Sequence, residues 1–368
     1  MYEKTLHVKI NILCVGTFYY ASIRSKNIVI IRISVLNDSM DEYMHVGANH
    51  EAGISNNSGS YKGSAVAGRW LMTAKQFSGH LIAKFSTMAH PLVAICQMTS
   101  TNDKEKNLQT VRELAEKAKS RTACMAFFPE ACDYLADNKK DIVAMAEPLN
   151  GSIMSSYKEI AKANKIWLSL GGLHEALDDD EKRISNTHVV INSEGEIASI
   201  YRKIHLFDMD NKTIGVRLME SDYVLAGQKI EPPISTPAGK LGLSICYDMR
   251  FPELSLSLRN MGMEILTYPS AFTYQTGAAH WEVLLRARAI ETQCYVIAAA
   301  QTGAHNKKRV SWGHAMIIDP WGTIVAQCSE KTDMVLAEID LNLLKRIREN
   351  MPCENHRRTD VYPKIEPL

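Results

Sequence analysis

The chain has 368 residues, of which 46% are hydrophobic and 23% are charged, and its formal net charge is +1. This composition is ordinary for a globular protein, and the near-zero charge argues against nucleic-acid binding. No apolar stretch reaches the roughly 18 to 20 residues that span a bilayer, so we expect no membrane insertion. The eight cysteines form no CxxC pair, which favours reduced thiols over a disulfide framework or a zinc site.

The chain divides by charge into two unlike parts. Residues 1–88 contain nine Lys and Arg against five Asp and Glu, a net charge of +4, and the remainder contains 33 against 36, a net charge of −3. No acidic residue occurs from Ala52 to Asn102, and the segment that begins at Met72 mixes Lys, Ser, Phe and Leu as an organellar presequence does. We interpret residues 1–88 as a basic, poorly ordered extension or presequence, and residues 89–368 as the domain that carries the function.

The first 88 residues leave alternatives open. Met72 and Met88 are candidate start sites that would give one mitochondrial and one cytoplasmic form, and we expect the cytoplasm to be the main compartment. A disordered extension, or sequence wrongly joined to the gene, would have the same composition. The β-branched and aromatic residues from Val8 to Leu36 also favour strands, so a small extra sheet is a further alternative.

After residue 88, short apolar runs alternate with amphipathic segments. Residues 92–99 predict a buried strand, and residues 103–120 predict a helix that Asp103 caps. Two hairpins interrupt the alternation, with turns at 192–195 and 319–322. The remaining predicted strands and helices cover residues 124–130, 152–164, 165–172, 240–248, 250–261, 264–272, 279–292 and 294–301. Together they predict a layered α/β domain with two facing sheets and helices outside.

Three chemically active side chains follow predicted strands. Cys246 lies directly before a helix, whose N-terminus would stabilise a thiolate, although an inert buried thiol is the more common use of cysteine. Glu130 follows an apolar strand and a proline, and Lys203 ends another strand. Ligand crevices form at the carboxyl ends of strands in open α/β sheets. The three residues would thus supply a nucleophile, a base and a cation to one site.

The sequence blocks around these residues resemble the nitrilase, or carbon–nitrogen hydrolase, superfamily. They read FFPEA at Glu130, YRKIHLFD at Lys203 and CYDMRFPE at Cys246, and the resemblance covers nearly all of residues 91–362. The branch that is most similar contains the amidases of deaminated glutathione, some of which are fused to a fragile-histidine-triad domain. The resemblance implies the four-layer αββα sandwich of the nitrilase type.

The family's roles, carried to the matching positions, imply a mechanism that needs neither cofactor nor metal. Cys246 would attack an amide carbonyl, Glu130 would transfer protons, and Lys203 would stabilise the oxyanion. The backbone N–H of Tyr247 would join the oxyanion hole, and Glu220 would assist. The loop before Glu220 departs from the branch's usual sequence, so an exposed loop carboxylate is the alternative for this residue.

Other residues near these positions could have either a functional or a structural role. Tyr268, Ser270 and Phe272 follow the next strand and are predicted to line the substrate pocket, with core packing as the alternative for the two aromatic residues. Asp248 and Arg250 flank the nucleophile, and we expect them to support the helix end. A cysteine–histidine pair is the competing nucleophile arrangement, but nothing local marks a histidine for it.

The sequence thus predicts an amidase that acts on a small carboxylate-bearing molecule, with deaminated glutathione favoured by resemblance, and that assembles as a homodimer or a higher homo-oligomer. An ω-amidase of keto-acid or dicarboxylic-acid monoamides is the alternative enzyme. From a different class, the chain could be a non-catalytic interaction module that kept its pocket. We expect no nucleic-acid or membrane partner.

Overall fold

The computed structural model describes residues 12–14, 17–23, 29–34, 90–212 and 216–362. Contacts divide the chain into two units, with the division between Ala89 and His90. In the first unit, β1 (Ile12–Cys14), β2 (Thr17–Ile23) and β3 (Val29–Ser34) form an antiparallel sheet in that order. The predicted start sites and presequence lie outside the described residues. The assignment of residues 1–88 as an extension therefore stays a prediction.

The second unit consists of helices and strands that alternate along much of the chain. Its helices in the described residues are α1 (Lys104–Ser120), α2 (Lys139–Ala144), α3 (Ser152–Asn164), α4 (Pro252–Asn260), α5 (Tyr274–Thr292) and α6 (Leu341–Asn350). Its strands are β4 (Leu92–Met98), β5 (Met125–Phe128), β6 (Trp167–Leu177), β7 (Asp180–Ile191), β8 (Ile197–Arg202), β9 (Asp208–Asn211), β10 (Val216–Met219), β11 (Ile234–Thr236), β12 (Gly239–Gly242), β13 (Ile265–Thr267), β14 (Tyr295–Ala298), β15 (Ala300–Ala304), β16 (Val310–Trp312), β17 (Met316–Ile318), β18 (Ile324–Gln327) and β19 (Asp333–Glu338).

Most of these strands belong to two mixed sheets. The larger sheet has the order β16-β15-β4-β5-β6-β7-β8, and β19 also pairs with β4. The smaller sheet has the order β11-β12-β13-β14-β17-β18. Four neighbouring strands run parallel in the larger sheet, namely β15-β4-β5-β6, and three in the smaller sheet, namely β12-β13-β14. Parallel centres of this kind place the carboxyl ends of several strands at the same edge.

The layer order follows from the side-chain alternation of the strands. In β4, Val93 and Ile95 belong to the core that the smaller sheet shares, whereas Ala94 and Cys96 pack with residues of α1 and α3. Successive side chains of a strand point to opposite faces, so a fully buried strand needs a layer on each side. Helices α4 and α5 pack together near the smaller sheet. The predicted αββα sandwich is therefore confirmed.

Local sequence signals account for several element boundaries. Asp103 caps α1 by accepting the backbone N–H of Lys106 at 3.0 Å, as predicted. Both predicted hairpin turns are present, between β7 and β8 and between β17 and β18. The hairpins β6-β7 and β15-β16 were not predicted, because their outer parts are polar and lack an apolar run. In the described part of the chain, no helix combines the length and apolarity that a membrane crossing requires.

Candidate active site

The ends of three strands border one cavity of about 450 Å³. Glu130 follows β5, Lys203 follows β8, and Cys246 lies beyond β12, and all three side chains line this cavity. Cavities of several hundred Å³ are typical of small-molecule sites. The structure therefore brings together the sulfur, the carboxylate and the ammonium that the sequence placed at separate strand ends.

Cys246 opens a short 3₁₀ turn, Cys246–Arg250, and has a left-handed backbone conformation. Its φ is +45°, which is uncommon for a residue with a side chain. Two hydrogen bonds hold this conformation: the N–H of Cys246 donates to the carbonyl of Pro269 at 3.0 Å, and the N–H of Ile245 donates to Asp248 at 2.8 Å. Strained backbone of this kind persists only where the surroundings fix it. Here it directs the thiol into the cavity.

Lys203 lies between two carboxylates. Its Nζ is 3.2 Å from Glu130 Oε1, and 3.1 and 2.9 Å from the two carboxylate oxygens of Glu220. All three side chains are buried, with Lys203 only 2% exposed. Buried charges are stable only when they are paired and hydrogen-bonded. Glu220, which the sequence left between an assisting role and an exposed loop, is buried in this cluster.

Asn186 connects the two carboxylates, and the sequence had not identified it as a site residue. Its Nδ2 donates to Glu130 Oε1 and to Glu220 Oε1, each at 3.0 Å. The second oxygen of Glu130 accepts the backbone N–H of Ala271 at 3.0 Å. Asn186 lies on β7 within a run of buried residues, and a polar side chain in such a run was the available signal. These donors fix the Glu130 carboxylate in one orientation.

Gly172 packs directly against the catalytic carboxylate. Its φ is +61°, and a Cβ at this position would lie 2.6 Å from Glu130 Cγ and 2.8 Å from Asn186 Oδ1. Any larger residue would therefore displace Glu130 in addition to straining the backbone.

The protonation states follow from burial and charge. Burial alone would raise the pKa of Glu130, but the ammonium of Lys203 and hydrogen bonds from Asn186 and Cys246 lower it overall. Burial would lower the pKa of Lys203, yet the carboxylates of Glu130 and Glu220 raise it well above its usual value. Near neutral pH the site therefore holds a carboxylate base and an ammonium.

The thiol of Cys246 behaves differently from the sequence-based prediction. Burial, and then the charge of Glu130, raise the pKa of Cys246, although Lys203 acts in the opposite direction. The prediction of a stabilised thiolate is therefore wrong. The nearby carboxylate and the loss of solvent disfavour the thiolate more than the N-terminus of the turn favours it. A neutral thiol beside an ionised carboxylate requires a general base at the moment of attack.

The remaining predicted residues fall into two groups. The backbone N–H of Tyr247 has no acceptor among the described residues, and Tyr247 and Phe272 line the cavity. Tyr268 and Ser270 do not line it: both are 0% exposed, and Tyr268 packs in the core that the two sheets share. The structure does not place either predicted residue in the pocket, because backbone pairing with the neighbouring strand continues past Pro269 to Ser270, which pairs with Ala300.

Asp248 and Arg250 do not join the catalytic cluster. Asp248 is fully buried and accepts the backbone N–H of Ile245, the hydroxyl of Tyr201, and both the N–H and Nδ1 of His205. It thus holds the turn behind the nucleophile. Arg250 lies over the rings of Tyr247 and Phe272 rather than against a carboxylate. No group of His, Cys, Asp and Glu within the described ranges could hold a metal ion.

Comparison with known proteins identifies the family of the chain. The model of the carbon-nitrogen hydrolase family matches residues 92–349. The chain belongs to the carbon-nitrogen hydrolase family. It is accordingly an enzyme that hydrolyses carbon–nitrogen bonds in linear amides other than peptide bonds, as the resemblance implied.

Two relatives illustrate how much of the chain the family explains. Deaminated glutathione amidase of Rattus norvegicus is 53% identical over 280 residues, which are 76% of this chain and 85% of that protein. The nitrilase and fragile histidine triad fusion protein NitFhit of Drosophila melanogaster is 54% identical over 271 residues, which are 73% of this chain and 58% of that protein. The chain therefore spans less than two thirds of the fusion protein's length.

Solved structures share the fold. The crystal structure of the Caenorhabditis elegans NitFhit protein has a TM-score of 0.71 and 52% identity, and the match covers 75% of this chain and 67% of that chain. Saccharomyces cerevisiae Nit3, a member of the nitrilase superfamily, has a TM-score of 0.64 and 30% identity, with 73% of this chain and 96% of that chain covered. The αββα sandwich is thus of the nitrilase type.

Proposed function

We propose that the chain is a thiol-dependent amidase that hydrolyses deaminated glutathione through a thioester on Cys246. The names of relatives that are 53% and 54% identical support the substrate. The observation that carries the mechanism is the convergence of Cys246, Glu130 and Lys203 on one cavity. An amide is a poor electrophile, so its hydrolysis needs an activated nucleophile, a proton for the leaving amine and a cation for the oxyanion.

In the first half-reaction, Cys246 Sγ forms a bond to the amide carbonyl carbon while its proton passes to Glu130. The carbonyl oxygen becomes an oxyanion, which the ammonium of Lys203 and the free N–H of Tyr247 stabilise. Glu130 then donates the proton to the nitrogen, the carbon–nitrogen bond breaks, and the amine leaves. The acyl group remains on Cys246 as a thioester.

In the second half-reaction, water attacks the thioester carbon and gives a proton to Glu130. The second oxyanion is stabilised by the same two groups. When the carbon–sulfur bond breaks, Glu130 returns the proton to sulfur, and the carboxylic acid is released. Each proton that Glu130 accepts is given back, so the cycle consumes only water and the amide.

Steady-state kinetics on two amides test the proposal. We expect kcat/KM for deaminated glutathione to exceed that for the monoamide of a dicarboxylic keto acid by at least about tenfold, the size of a few well-placed pocket contacts. The reverse order would favour the ω-amidase. No turnover of either amide, with the protein folded, would favour the non-catalytic module.

The exposed apolar residues of α5 and the neighbouring hairpin support a further proposal, that the chain forms a homodimer or a higher homo-oligomer. Val283 on α5 is 68% exposed, and Trp321 in the turn before β18 is 61% exposed. Ile290 on the same helix is 48% exposed and lies beside Gly322 of that turn, and contiguous exposed apolar surface often marks a protein interface. Light scattering after gel filtration should give a multiple of the 41.2 kDa chain mass, and replacing Val283 and Trp321 by Ser should lower it.

We also propose that the enzyme is cytoplasmic and that a second form reaches mitochondria through an alternative start. The absence of acidic residues from Ala52 to Asn102, which is typical of a presequence, supports the mitochondrial form. Mass spectrometry of native N-termini should find chains that begin near Met72 or Met88. Termini at Met1 alone would reject the alternative start.

A further inference from the structure

Two basic residues in the turn between β15 and β16 line the catalytic cavity without a role in the mechanism above. Lys308 and Arg309 border the same cavity as Cys246, and both are exposed. No carboxylate in the described ranges lies within salt-bridge distance of either side chain. Their charges are therefore available to an anion that enters the cavity.

The other cavity cations differ in this respect. Lys203 is paired with both buried glutamates, as described above. Lys139 and Arg217 both form ion pairs with Asp222. Arg250 is held over two aromatic rings and against His280. The turn thus contributes two cavity cations with neither a carboxylate partner nor a stacking contact among the described residues.

The turn is fixed by hydrogen bonds, so its side chains start from a defined place. Asn306 Oδ1 accepts the backbone N–H groups of Lys308 and Arg309, each at 2.9 Å. The N–H of His305 donates to the carbonyl of Arg309 at 2.9 Å. The buried ring of His305 contacts the carbonyl of Ser100 at 2.8 Å and the hydroxyl of Ser311 at 2.7 Å. A cation on such a turn loses little backbone entropy when it binds a ligand.

The same hairpin is tied to the segment that holds the catalytic base. The N–H of Trp312 donates to the carbonyl of Phe272 at 3.0 Å, one residue from Ala271, whose N–H binds Glu130. Burial raises the pKa of Glu130, and the ammonium of Lys203 lowers it strongly. Arg309 is close enough for its charge to add a smaller lowering of the same pKa. The turn and the reacting groups therefore belong to one connected wall of the cavity.

The substrate of the proposed function, on which this inference rests, carries a matching charge. Glutathione that has lost its amino group keeps a carboxylate at each end, so either of its amide bonds has one carboxylate on each side. The acyl part stays bonded to Cys246 after the first half-reaction, whereas the amine leaves first. Exposed cations suit the part of the substrate that points towards solvent and departs early. A guanidinium also matches a carboxylate with two parallel hydrogen bonds.

We propose that Arg309, assisted by Lys308, binds the carboxylate on the leaving-amine side of the substrate. This contact selects amides whose leaving group is an amino acid or a peptide over amides that release ammonia. Arg309 then determines specificity and takes no part in the bond changes.

The test compares two substrates that differ in one charge. Deaminated glutathione is assayed beside the same molecule with its glycine carboxylate converted to a carboxamide. In the wild type we expect kcat/KM for the acid to exceed that for the carboxamide by about tenfold to a hundredfold, the usual range for a charge-assisted hydrogen bond. In Arg309→Gln this ratio should fall to about one to three, through a higher KM for the acid.

Variants in the same turn provide the controls. Lys307 is a neighbouring exposed lysine that does not line the cavity, so Lys307→Gln removes the same charge and should keep the wild-type ratio. Lys308→Gln should lower the ratio less than Arg309→Gln, and Arg309→Lys should recover part of it. Thermal unfolding of each variant shows whether the turn is still folded.

The outcomes separate the two proposals. An unchanged ratio in Arg309→Gln, or an equal loss on both substrates, would overturn the role of Arg309 while leaving the amidase intact. An equal loss in Lys307→Gln would also overturn it, because the effect would then be general electrostatics. If the wild type hydrolyses neither substrate, the proposed function itself fails.

Discussion

Glu130 and Asp248 are two buried carboxylates near the nucleophile, and the molecule uses them in different ways. Asp248 lies two residues after Cys246 and is saturated by hydrogen-bond donors from the backbone, Tyr201 and His205. Glu130 lies far from Cys246 in the sequence, borders the cavity and is paired with Lys203. A carboxylate whose oxygens are saturated holds the backbone, whereas one that faces a cavity and an ammonium can exchange protons. Five sets of variants test this difference.

Cys246→Ala should have the largest effect on turnover. Removing the nucleophile should lower kcat/KM on the order of 10⁴-fold or more, because no other group of the site can form the covalent bond to the amide carbonyl carbon. The melting temperature should change little, because the thiol is partly open to the cavity. Cys124→Ala, at another half-buried cysteine, is the control and should keep full activity. Substantial turnover in Cys246→Ala would exclude the thioester route.

Glu130→Gln should follow, with a loss of about 10²- to 10⁴-fold in kcat, the usual range for a general base. Both half-reactions lose their proton acceptor, while the amide keeps the shape of the carboxylate. Asp248→Asn is the matched change, and we expect it mainly to lower the free energy of unfolding, by about 2 to 4 kcal/mol, because an amide N–H₂ would face other donors. Urea unfolding and steady-state kinetics on both variants measure this contrast. An exchange of the two phenotypes would reverse the assignment.

Lys203→Met should lower kcat by about 10²- to 10³-fold, the cost of one lost oxyanion donor, with a smaller effect on KM. It also leaves Glu130 and Glu220 adjacent and without a cation, so one of them should take up a proton, and activity should be lost below a higher pH than in the wild type. The pH profile of kcat/KM records both effects. Near-normal turnover would show that Lys203 does not stabilise the oxyanion.

Asn186→Leu should cost about tenfold to a hundredfold in kcat/KM, because two buried carboxylates each lose a hydrogen bond. Asn186 acts through Glu130, as a positioning residue. Its N–H group helps to lower the pKa of Glu130, so its removal should raise that pKa and move the acid limb of the kcat/KM profile to higher pH. A uniform loss with an unmoved acid limb would indicate a packing role alone.

Tyr268→Phe should have the smallest effect. The hydroxyl of Tyr268 is buried without a hydrogen-bond partner among the described residues, so its removal should change the free energy of unfolding by no more than about 0.5 kcal/mol and leave KM unaltered. Phe272→Ala, by contrast, opens the cavity wall and should raise KM several-fold. A raised KM in Tyr268→Phe would return this residue to the substrate pocket.

The sequence predicted the layers because short apolar runs that alternate with amphipathic segments are a local signal. It also predicted Glu130, Lys203 and Cys246 as neighbours, since strand ends meet at one edge of a sheet. Asn186 and Ala271 could not be found in this way, because they reach Glu130 only through the pairing and facing of the two sheets. The pKa of Cys246 was predicted in the wrong direction for the same reason: the turn is local, whereas burial and the Glu130 charge come from distant segments.

The most direct test of the covalent account is a partition experiment with two amides that share one acyl group but carry different leaving amines. Methanol is added as a second acceptor, and the ratio of methyl ester to free acid is measured for each amide. If both reactions pass through the same thioester on Cys246, the two ratios should be equal, because the leaving amine has departed before water or methanol attacks. Ratios that depend on the leaving amine would contradict the thioester and mean that water attacks the amide directly.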